Sequence, residues 1–252
     1  MFKNQDHFPE NKIPMSAIKF LTKRLTEPST TLNKFDYLGH IFLFRDLKFA
    51  IQHYAEGKLL DIGCGNKPYL KWQLEQNCEV TGCDIEQSSE RVVDIICPAT
   101  NIPLPDNSFD TIFSSQVLEH VADHGTMLNE CYRLLKPGGH LILSAPMFWE
   151  HHEEPYDFFR FTKYGFKFLL ESRGFKIENL QPSGGKWALL GQIKLSNYNS
   201  FFKKRKGLLS NFFQLIYFAL PIRFINNLIY RWLDKMDPDD SATLNYVVVA
   251  SK

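Results

Sequence analysis

One long stretch of the sequence has no acidic residues. Residues 179–233, a span of 55, contain no Asp or Glu but eight Lys or Arg side chains. The whole chain has 29 basic and 28 acidic residues, so removing those eight leaves 21 basic residues against 28 acidic ones. The net charge of +1 is therefore the sum of an acidic body at −7 and a basic segment at +8. An evenly spread charge would argue against a charged partner, whereas this partition indicates where one would bind.

The chain also has few cysteines and no long apolar run. Its cysteines, Cys64, Cys78, Cys83, Cys97 and Cys131, are odd in number and form no CxxC pair. They therefore predict neither a disulfide framework nor a zinc site. The first residues lack the apolar run of a signal peptide, so we expect a cytoplasmic protein. The longest charge-free stretch, residues 207–222, has 16 residues, fewer than the roughly 20 apolar residues that span a bilayer.

The order of apolar runs predicts the fold class. Five short apolar runs are separated by segments of helical length: 58–62, 79–85, 92–97, 109–114 and 140–145. Such alternation predicts an α/β protein with a mostly parallel sheet and helices on both faces. Residues 1–57 are expected to form an N-terminal helical arm and residues 58–252 the main domain. Two later strands are expected at 175–180 and 243–251, with a basic helical insertion at 184–240 between them.

A glycine-rich turn follows the first predicted strand. The sequence Asp61-Ile62-Gly63-Cys64-Gly65 provides two glycines where a ligand can approach the backbone without meeting a Cβ. Asp84, 19 residues after Gly65, ends the second predicted strand, where a carboxylate can accept hydrogen bonds from a ribose diol. Pro68 stands where a dinucleotide fingerprint needs its third glycine, and the loop lacks the GK[ST] of a triphosphate site. The turn thus favours a nucleoside ligand without a pyrophosphate over a purely structural turn.

Four motifs follow one another along the predicted sheet. They are DIGCG at 61–65, GCDI at 82–85, PLPDNSFDTIFSSQVLEHV at 103–121 and LNECYRLLKPGGHLILSAP at 128–146. Together they resemble the class I S-adenosylmethionine-dependent methyltransferases, and most of all the broad type-11 group. The resemblance implies a Rossmann-like, seven-stranded, mostly parallel sheet whose last strand is antiparallel, a place that residues 243–251 would fill. It also implies S-adenosyl-L-methionine as the cofactor.

The same resemblance implies a set of cofactor-binding residues. They are Asp61, Gly63, Cys64, Gly65, Asp84, Ile85, Ala99, Thr100, Ser114 and Gln116. The glycine turn would face the amino-acid half of the cofactor, the end of the second strand its ribose and adenine, and the end of the fourth strand its methionine moiety. Pro98 stands where the family often has an acid for the adenine edge, so backbone groups of Ala99 or Thr100 would take that role. His120, on the following helix, is expected to be structural.

The segment after the fifth predicted strand is the expected acceptor loop. It reads MFWEHHEEPYDFFRFT at 147–162 and combines histidines with acids, aromatics and an arginine. An alcohol acceptor would benefit from a general base, for which His152 is the first candidate, followed by His151 and Asp157. Tyr156 and Arg160 would bind the acceptor. Alternatively, the segment is a partly buried loop with aromatic filling and a surface acid–arginine pair. The adjacent histidines and the acid after them are poorly spaced for a metal, so no metal ion is expected.

The basic insertion contains two amphipathic stripes. Apolar residues recur at helical spacing over 208–220, and a second stripe follows Pro221: Ile222, Ile225, Ile229, Trp232 and Leu233. Beside the basic run at 203–206, such helices are typical of binding to an anionic membrane surface, here through residues 203–233. Packing on the domain, or on a second subunit in a homodimer, is the alternative. No DNA partner is expected, because apolar stripes do not bind phosphate and SSQ at 114–116 is not the N/D-P-P-Y type.

These features lead to one main hypothesis for function. We expect O-methylation of a sugar, lipid-linked saccharide or other amphipathic acceptor by an enzyme peripheral to the inner face of the cell membrane. Residues 152–162 also resemble, more loosely, a pattern of methyltransferases found with bacterial polysaccharide and glycolipid genes. The alternative is a soluble small-molecule methyltransferase acting on a quinone-like ring. A catalytically silent cofactor-binding scaffold is a third hypothesis, which the intact glycine turn and Asp84 disfavour.

Overall fold

The computed structural model describes residues 25–204 and 221–252, which contain a seven-stranded sheet. The strands are β1 Lys58–Ile62, β2 Glu79–Asp84, β3 Ile95–Ile96, β4 Phe109–Ser115, β5 Leu135–Pro146, β6 Lys176–Ser183 and β7 Asn245–Ser251. Their order across the sheet is β3-β2-β1-β4-β5-β7-β6. The first five pair in parallel, and β7 pairs antiparallel with both β5 and β6. The predicted Rossmann-like sheet with an antiparallel last strand is therefore confirmed.

Six α-helices accompany the sheet among the described residues, and polar side chains cap the starts of two of them. The helices are α1 Tyr37–Tyr54, α2 Leu70–Leu74, α3 His124–Leu134, α4 Lys163–Glu171, α5 Lys186–Lys204 and α6 Ile222–Met236, with a short 3-10 helix at Leu118–His120. The side chain of Asp123 accepts a hydrogen bond from the Thr126 N–H at the start of α3. Thr162 caps α4 in the same way by accepting from the Gly165 N–H. Side-chain oxygens at these positions satisfy N–H groups that the helix itself leaves without partners.

Apolar side chains cover both faces of the sheet. On one face, Leu60 and Ile112 belong to a buried cluster that includes side chains of α3 and α4. On the other face, Leu59 and Phe113 belong to a second cluster that includes Leu47 of α1. Neighbouring residues of a strand point to opposite faces, so each run of consecutive apolar residues supplies both clusters. Because α1 packs on the sheet in this way, it closes one side of the space above the strand ends.

The insertion between β6 and β7 supplies α5 and α6, which pack against each other and against α1. Asn226 and Asn227 lie on the inner face of α6, where their side-chain amides donate to backbone carbonyls, including those of Gly191 and Leu32. The opposite face of α6 is apolar and exposed among the described residues: Phe224, Ile225, Leu228, Ile229, Trp232 and Met236. The predicted stripe at 208–220 lies outside the described residues. No described helix is both long enough and apolar enough to cross a bilayer.

The five cysteines are buried free thiols. This finding confirms that they form no disulfide framework. They instead fill space in the interior as small apolar groups, which is the common role of unpaired cysteine.

Candidate active site

A cavity of about 460 Å³ opens beyond the carboxyl ends of β1, β2 and β4. Its wall comes from the glycine turn after β1, from the ends of β2 and β4, from α1 and from the loop that follows β5. Ligands of open α/β sheets bind at this edge, because the strand order reverses there and leaves a crevice. The volume is in the range of cofactor-binding pockets.

The glycine turn holds its shape through Gly63 and Gly65. Gly63 has a φ of +72°, and a Cβ at this position would overlap the side chain of Val117. The N–H groups of Gly63 and Cys64 both donate to the carbonyl oxygen of Cys83, at 2.8 and 3.1 Å. The N–H of Gly65 donates to Asp84 Oδ2 at 2.9 Å. These bonds tie the turn to the end of β2, so the two halves of the predicted cofactor site form a single wall.

Asp61 is a buried acid in this wall. Its Oδ2 accepts a hydrogen bond from Gln73 Nε2 at 3.1 Å, and only 2% of the residue is exposed. Burial raises the pKa of Asp61 to about 7, against the lowering effects of Gln73 and the nearby Lys67. A buried carboxyl whose charge is so poorly compensated favours a cationic ligand, because a cation restores the ionised form. The ammonium of an amino acid is such a ligand.

Seven of the ten predicted cofactor residues line the cavity: Asp61, Gly63, Cys64, Gly65, Asp84, Ile85 and Gln116. Ala99, Thr100 and Ser114 are not among the lining residues. The hydroxyl of Ser114 is buried and donates to the carbonyl oxygen of Ile62 at 3.0 Å. The next residue, Ser115, lines the cavity instead. Alternate residues of a strand share a face, so two adjacent serines cannot both point into one cavity.

The predicted acceptor loop separates into lining residues and supporting residues. His152 and Tyr156 line the cavity, whereas the side chain of His151 is 84% exposed and is not in the lining. Asp157 and Arg160 form a two-point ion pair, with Arg160 Nη1 and Nη2 at 2.6 and 2.8 Å from the carboxylate oxygens. Arg160 also donates to the carbonyl oxygen of Trp149, and Asp157 accepts from the N–H of His152. This pair therefore holds the loop together, and neither residue is in the cavity lining.

Hydrogen bonds determine the charge of Asp157. Burial acts to raise its pKa, but the bonds from Arg160 and from the His152 N–H lower it to about 2. The carboxylate is thus a permanent anion below the loop. It lies 3.4 Å from Nδ1 of His152, where it can orient the ring.

Three side chains form a cluster that the sequence analysis did not assemble. Nδ1 of His120 lies 2.7 Å from the carbonyl oxygen of Tyr156, and its ring meets that of His152 edge to face, with centroids 4.7 Å apart. Glu119 is fully buried beside them, and burial raises its pKa to about 8. His120 was expected to be structural but lines the cavity. The position of His120 in the sequence could have indicated this placement. Glu119 and His120 follow the carboxyl end of β4, and that end of the strand faces the cavity.

Aromatic side chains complete the wall, and the sequence analysis missed them as well. His40, Phe44, Tyr69, Phe113 and Trp149 line the cavity. His40 and Phe44 come from α1 and stack with their ring centroids 5.1 Å apart. Aromatic walls are typical of pockets for flat organic ligands. His40 and Phe44 could not be assigned from the strand-end motifs, because they lie on α1.

The sequence of the central part of the chain matches a known family. Residues 60–143 match the family model described as "Methyltransferase domain". Over 186 residues, the chain is 28% identical to a Mycolicibacterium smegmatis protein named "Probable S-adenosylmethionine-dependent methyltransferase", covering 68% of this chain and 70% of that protein. Residues 60–143 therefore form a methyltransferase domain, and the chain is an S-adenosylmethionine-dependent methyltransferase. It is also 30% identical over 112 residues to the ubiquinone biosynthesis O-methyltransferase of Proteus mirabilis, covering 38% of this chain and 46% of that protein.

A solved structure shows that this methyltransferase has the expected fold. The match is a SAM-dependent methyltransferase from Archaeoglobus fulgidus, with a TM-score of 0.53 and 18% sequence identity. It covers 85% of this chain and 94% of the other. At this identity the likeness concerns the fold alone.

The residues of the methyltransferase cavity fit S-adenosylmethionine by their chemistry. The buried Asp61 suits the ammonium of the methionine half, and the Asp84 carboxylate suits the ribose diol. Gly63 lets the turn pass close to Val117 at the cavity wall, and the aromatic wall suits the adenine. When bound, the cofactor supplies an electrophilic methyl group on a sulfonium. The protein supplies the orientation of that group toward an acceptor.

Proposed function

We propose that this methyltransferase transfers the methyl group to a hydroxyl of an acceptor bound in the outer part of the same cavity. One observation supports the proposal above all. A single cavity is lined on one side by Asp61 and Asp84 and on the other by His120, His152 and Tyr156. Cofactor and acceptor would therefore meet without any rearrangement of the sheet. Several relatives are named O-methyltransferases, which supports an oxygen acceptor.

The chemistry is an in-line displacement at carbon. The acceptor oxygen forms a bond to the methyl carbon as the carbon–sulfur bond breaks and its electron pair returns to sulfur. Positioning the two reactants supplies a large part of the rate enhancement of such a reaction. The hydroxyl proton must also leave, and His152 is the group we assign to accept it. Burial and the neighbouring His120 lower the pKa of His152, so its imidazole is neutral at pH 7 and able to take a proton.

The loop contacts support the orientation that a base at His152 needs. Its Nδ1 lies 3.1 Å from the carbonyl oxygen of Glu150, and the Asp157 carboxylate lies nearby. With the ring proton on Nδ1, the unprotonated Nε2 is the atom that can accept from the acceptor hydroxyl. Asp157 and Arg160 are thus positioning residues in this proposal.

The helical insertion supports an amphipathic acceptor, such as a sugar lipid or lipid-linked saccharide, at the cytoplasmic membrane face. The outer face of α6 exposes a contiguous set of large apolar side chains, and its inner face is occupied by the two asparagines. Exposed apolar patches of this kind mark surfaces that bind protein or membrane. The basic residues of the insertion add an attraction to anionic lipid. A small quinone-like acceptor is the second candidate, favoured by the named ubiquinone-pathway relatives.

An acceptor screen tests the proposal. The purified chain is incubated with methyl-labelled S-adenosylmethionine and panels of sugar lipids, quinols and matched amines, and label transfer is followed by mass spectrometry. We expect label on oxygen. Replacement His152→Asn is expected to lower kcat strongly, whereas His151→Asn, which alters only the exposed neighbouring ring, serves as the matched control. Label found solely on nitrogen, or equal kcat for both variants, would overturn the proposal.

A further inference from the structure

Glu119, His120 and His152 bring one carboxylate and two imidazoles together at the wall of the cavity. One potential ligand atom from each residue lies within 4.8 Å of those of the other two. We propose that these three side chains bind a divalent transition-metal cation that activates the acceptor hydroxyl. The residues come from the turn after β4 and from the loop after β5, so only the folded chain assembles them.

Both histidines are oriented as metal ligands are. Nδ1 of His120 lies 2.7 Å from the Tyr156 carbonyl oxygen, and Nδ1 of His152 lies 3.1 Å from that of Glu150. A carbonyl can only accept, so each ring donates from Nδ1, and in a neutral imidazole Nε2 is then the nitrogen with the lone pair that a metal binds. Histidines that bind metals almost always donate their other ring N–H to a carbonyl or carboxylate in this manner.

Glu119 supplies the second, independent observation. Its side chain is fully buried, and neither carboxyl oxygen has a hydrogen-bond partner among the described residues. Nε2 of His120 lies 3.8 Å from Oε1, which is too long for a hydrogen bond. An unsatisfied buried carboxyl costs folding free energy, and a bound cation would satisfy it. The two histidines beside it are the partners that such a cation requires.

The spacing is compatible with one ion after a small contraction. Ligand atoms around a tetrahedral ion lie roughly 3.4 Å apart when each bond is about 2.1 Å. The ligand atoms lie within 4.8 Å of one another, so the longest separation must shorten by up to about 1.4 Å, which side-chain rotation can provide. Glu153 Oε2 lies 3.9 Å from His120 Nε2 and is within reach as a further ligand. Two imidazoles and a carboxylate favour Zn²⁺, Mn²⁺ or Fe²⁺ over Ca²⁺.

This set differs from the one that the sequence suggested and dismissed. The adjacent pair His151 and His152 does not converge, because His151 is largely exposed and turns toward Asp157 at 3.7 Å. The second imidazole comes instead from His120, 32 residues earlier in the chain. The prediction of no metal considered only the adjacent histidines and the acid after them.

The role of the ion in methyl transfer rests on the proposed function. An acceptor hydroxyl bound to the cation would lose its proton more readily, because a Lewis acid lowers the pKa of a coordinated oxygen. His152 would then act as a ligand rather than as the base. The alkoxide so formed would attack the methyl carbon and displace S-adenosylhomocysteine, and the proton lost from the hydroxyl would pass to solvent. Without a cation, His152 keeps the role of base assigned above.

The experiment measures cation binding without any acceptor. The full-length chain is stripped of metal by dialysis against a chelator and titrated with Co²⁺, whose visible d–d absorption reports nitrogen and oxygen coordination. Metal content after equilibrium dialysis with Zn²⁺ gives the stoichiometry. We expect one ion per chain, with affinity at least about tenfold weaker in Glu119→Gln and in His152→Asn. His151→Asn should match the unmodified protein.

Calorimetric binding of S-adenosylhomocysteine, measured on every variant, confirms that each is folded. One-to-one binding that is lost in Glu119→Gln and His152→Asn but kept in His151→Asn supports the site, whatever the acceptor assay shows. No Co²⁺ absorption in the unmodified chain, or unchanged affinity in both variants, overturns it. The acceptor screen fails or succeeds separately, so the two proposals are judged by different measurements.

Discussion

The carboxylate of Asp84 accepts a hydrogen bond of 2.9 Å from the backbone N–H of Gly65. The end of β2 is thereby fixed to the glycine turn after β1, although 19 residues separate the two in sequence. A side chain in this position has two functions, because it braces the turn and faces the cavity that would hold the ribose. Replacing Asp84 should therefore disturb both the glycine turn and the cavity that it lines.

Asp84→Ala should weaken the binding of S-adenosylmethionine and of its demethylated product. The lost hydrogen bonds to a charged acceptor are worth about 1.5–3 kcal/mol, so the affinity should fall roughly 10- to 150-fold. Calorimetry with S-adenosylhomocysteine measures this change. Glu79→Ala, at the exposed opposite end of β2, is the control and should bind as the unmodified chain does. Equal affinities for the two variants would remove the role assigned to Asp84.

Gly63→Ala should destabilise the fold and abolish cofactor binding. Gly63 has a φ of +72°, and its new methyl group would overlap the Val117 side chain. Gly138→Ala is a matched control, because Gly138 has a φ of +82° but no atom within 4 Å of its would-be Cβ. The control should lose about 1 kcal/mol from backbone strain alone, and Gly63→Ala clearly more. Urea unfolding measures the difference, and equal losses would contradict the steric argument.

The sequence predicted the sheet well because strand ends carry the informative residues. The run Lys58–Ile62 is a strand as expected, and the glycine turn and Asp84 line one cavity. Ser114 lies outside the cavity lining and Ser115 within it, for a simple reason. Two adjacent serines in a strand point to opposite faces of the sheet. If the predicted position along the strand is wrong by one residue, the two faces are exchanged.

Contacts between distant segments could not be predicted in this way. The adjacent histidines of the acceptor loop drew attention to His151, whereas His152 meets His120 from another element. The amphipathic pattern of α6 was visible, but not which face turns inward. The structure turns Asn227 inward because its amide donates to the carbonyls of Leu32 and Lys34, and such long-range partners are absent from a local pattern.

Asp61→Asn should change how the stability of the cofactor-free protein depends on pH. Burial raises the pKa of Asp61 from 3.8 to about 7, with Lys67 opposing and Asp84 assisting the shift. The folded state therefore binds an extra proton between about pH 4 and pH 7, and stability falls as pH rises through that window. In the asparagine variant the free energy of unfolding does not fall in this way, because Asn does not titrate. Its side-chain oxygen can still accept the hydrogen bond from Gln73. At pH 8 it should be more stable by up to about 4 kcal/mol.

Urea unfolding across pH 4.5 to 8.5 tests that prediction. The same substitution should weaken the binding of S-adenosylmethionine, whose ammonium would lose its carboxylate partner. Greater stability combined with weaker binding would indicate that the buried acid is retained for its ligand. Parallel stability curves for the variant and the unmodified chain would show that Asp61 is ionised in both states and would contradict the argument.

The outer face of α6 should determine binding to anionic vesicles. Ile225 and Trp232 are exposed on this face, Trp232 by 58%, and replacing both with Ser removes apolar surface without touching the inner asparagines. Sedimentation with phosphatidylglycerol vesicles should fall at least several-fold, and salt should weaken the binding of the unmodified chain. Phe168→Ser, which alters an aromatic 72% exposed on α4, is the matched control. If both variants sediment like the unmodified chain while sedimentation velocity shows a dimer lost only in the α6 variant, then this face binds a second subunit instead of lipid.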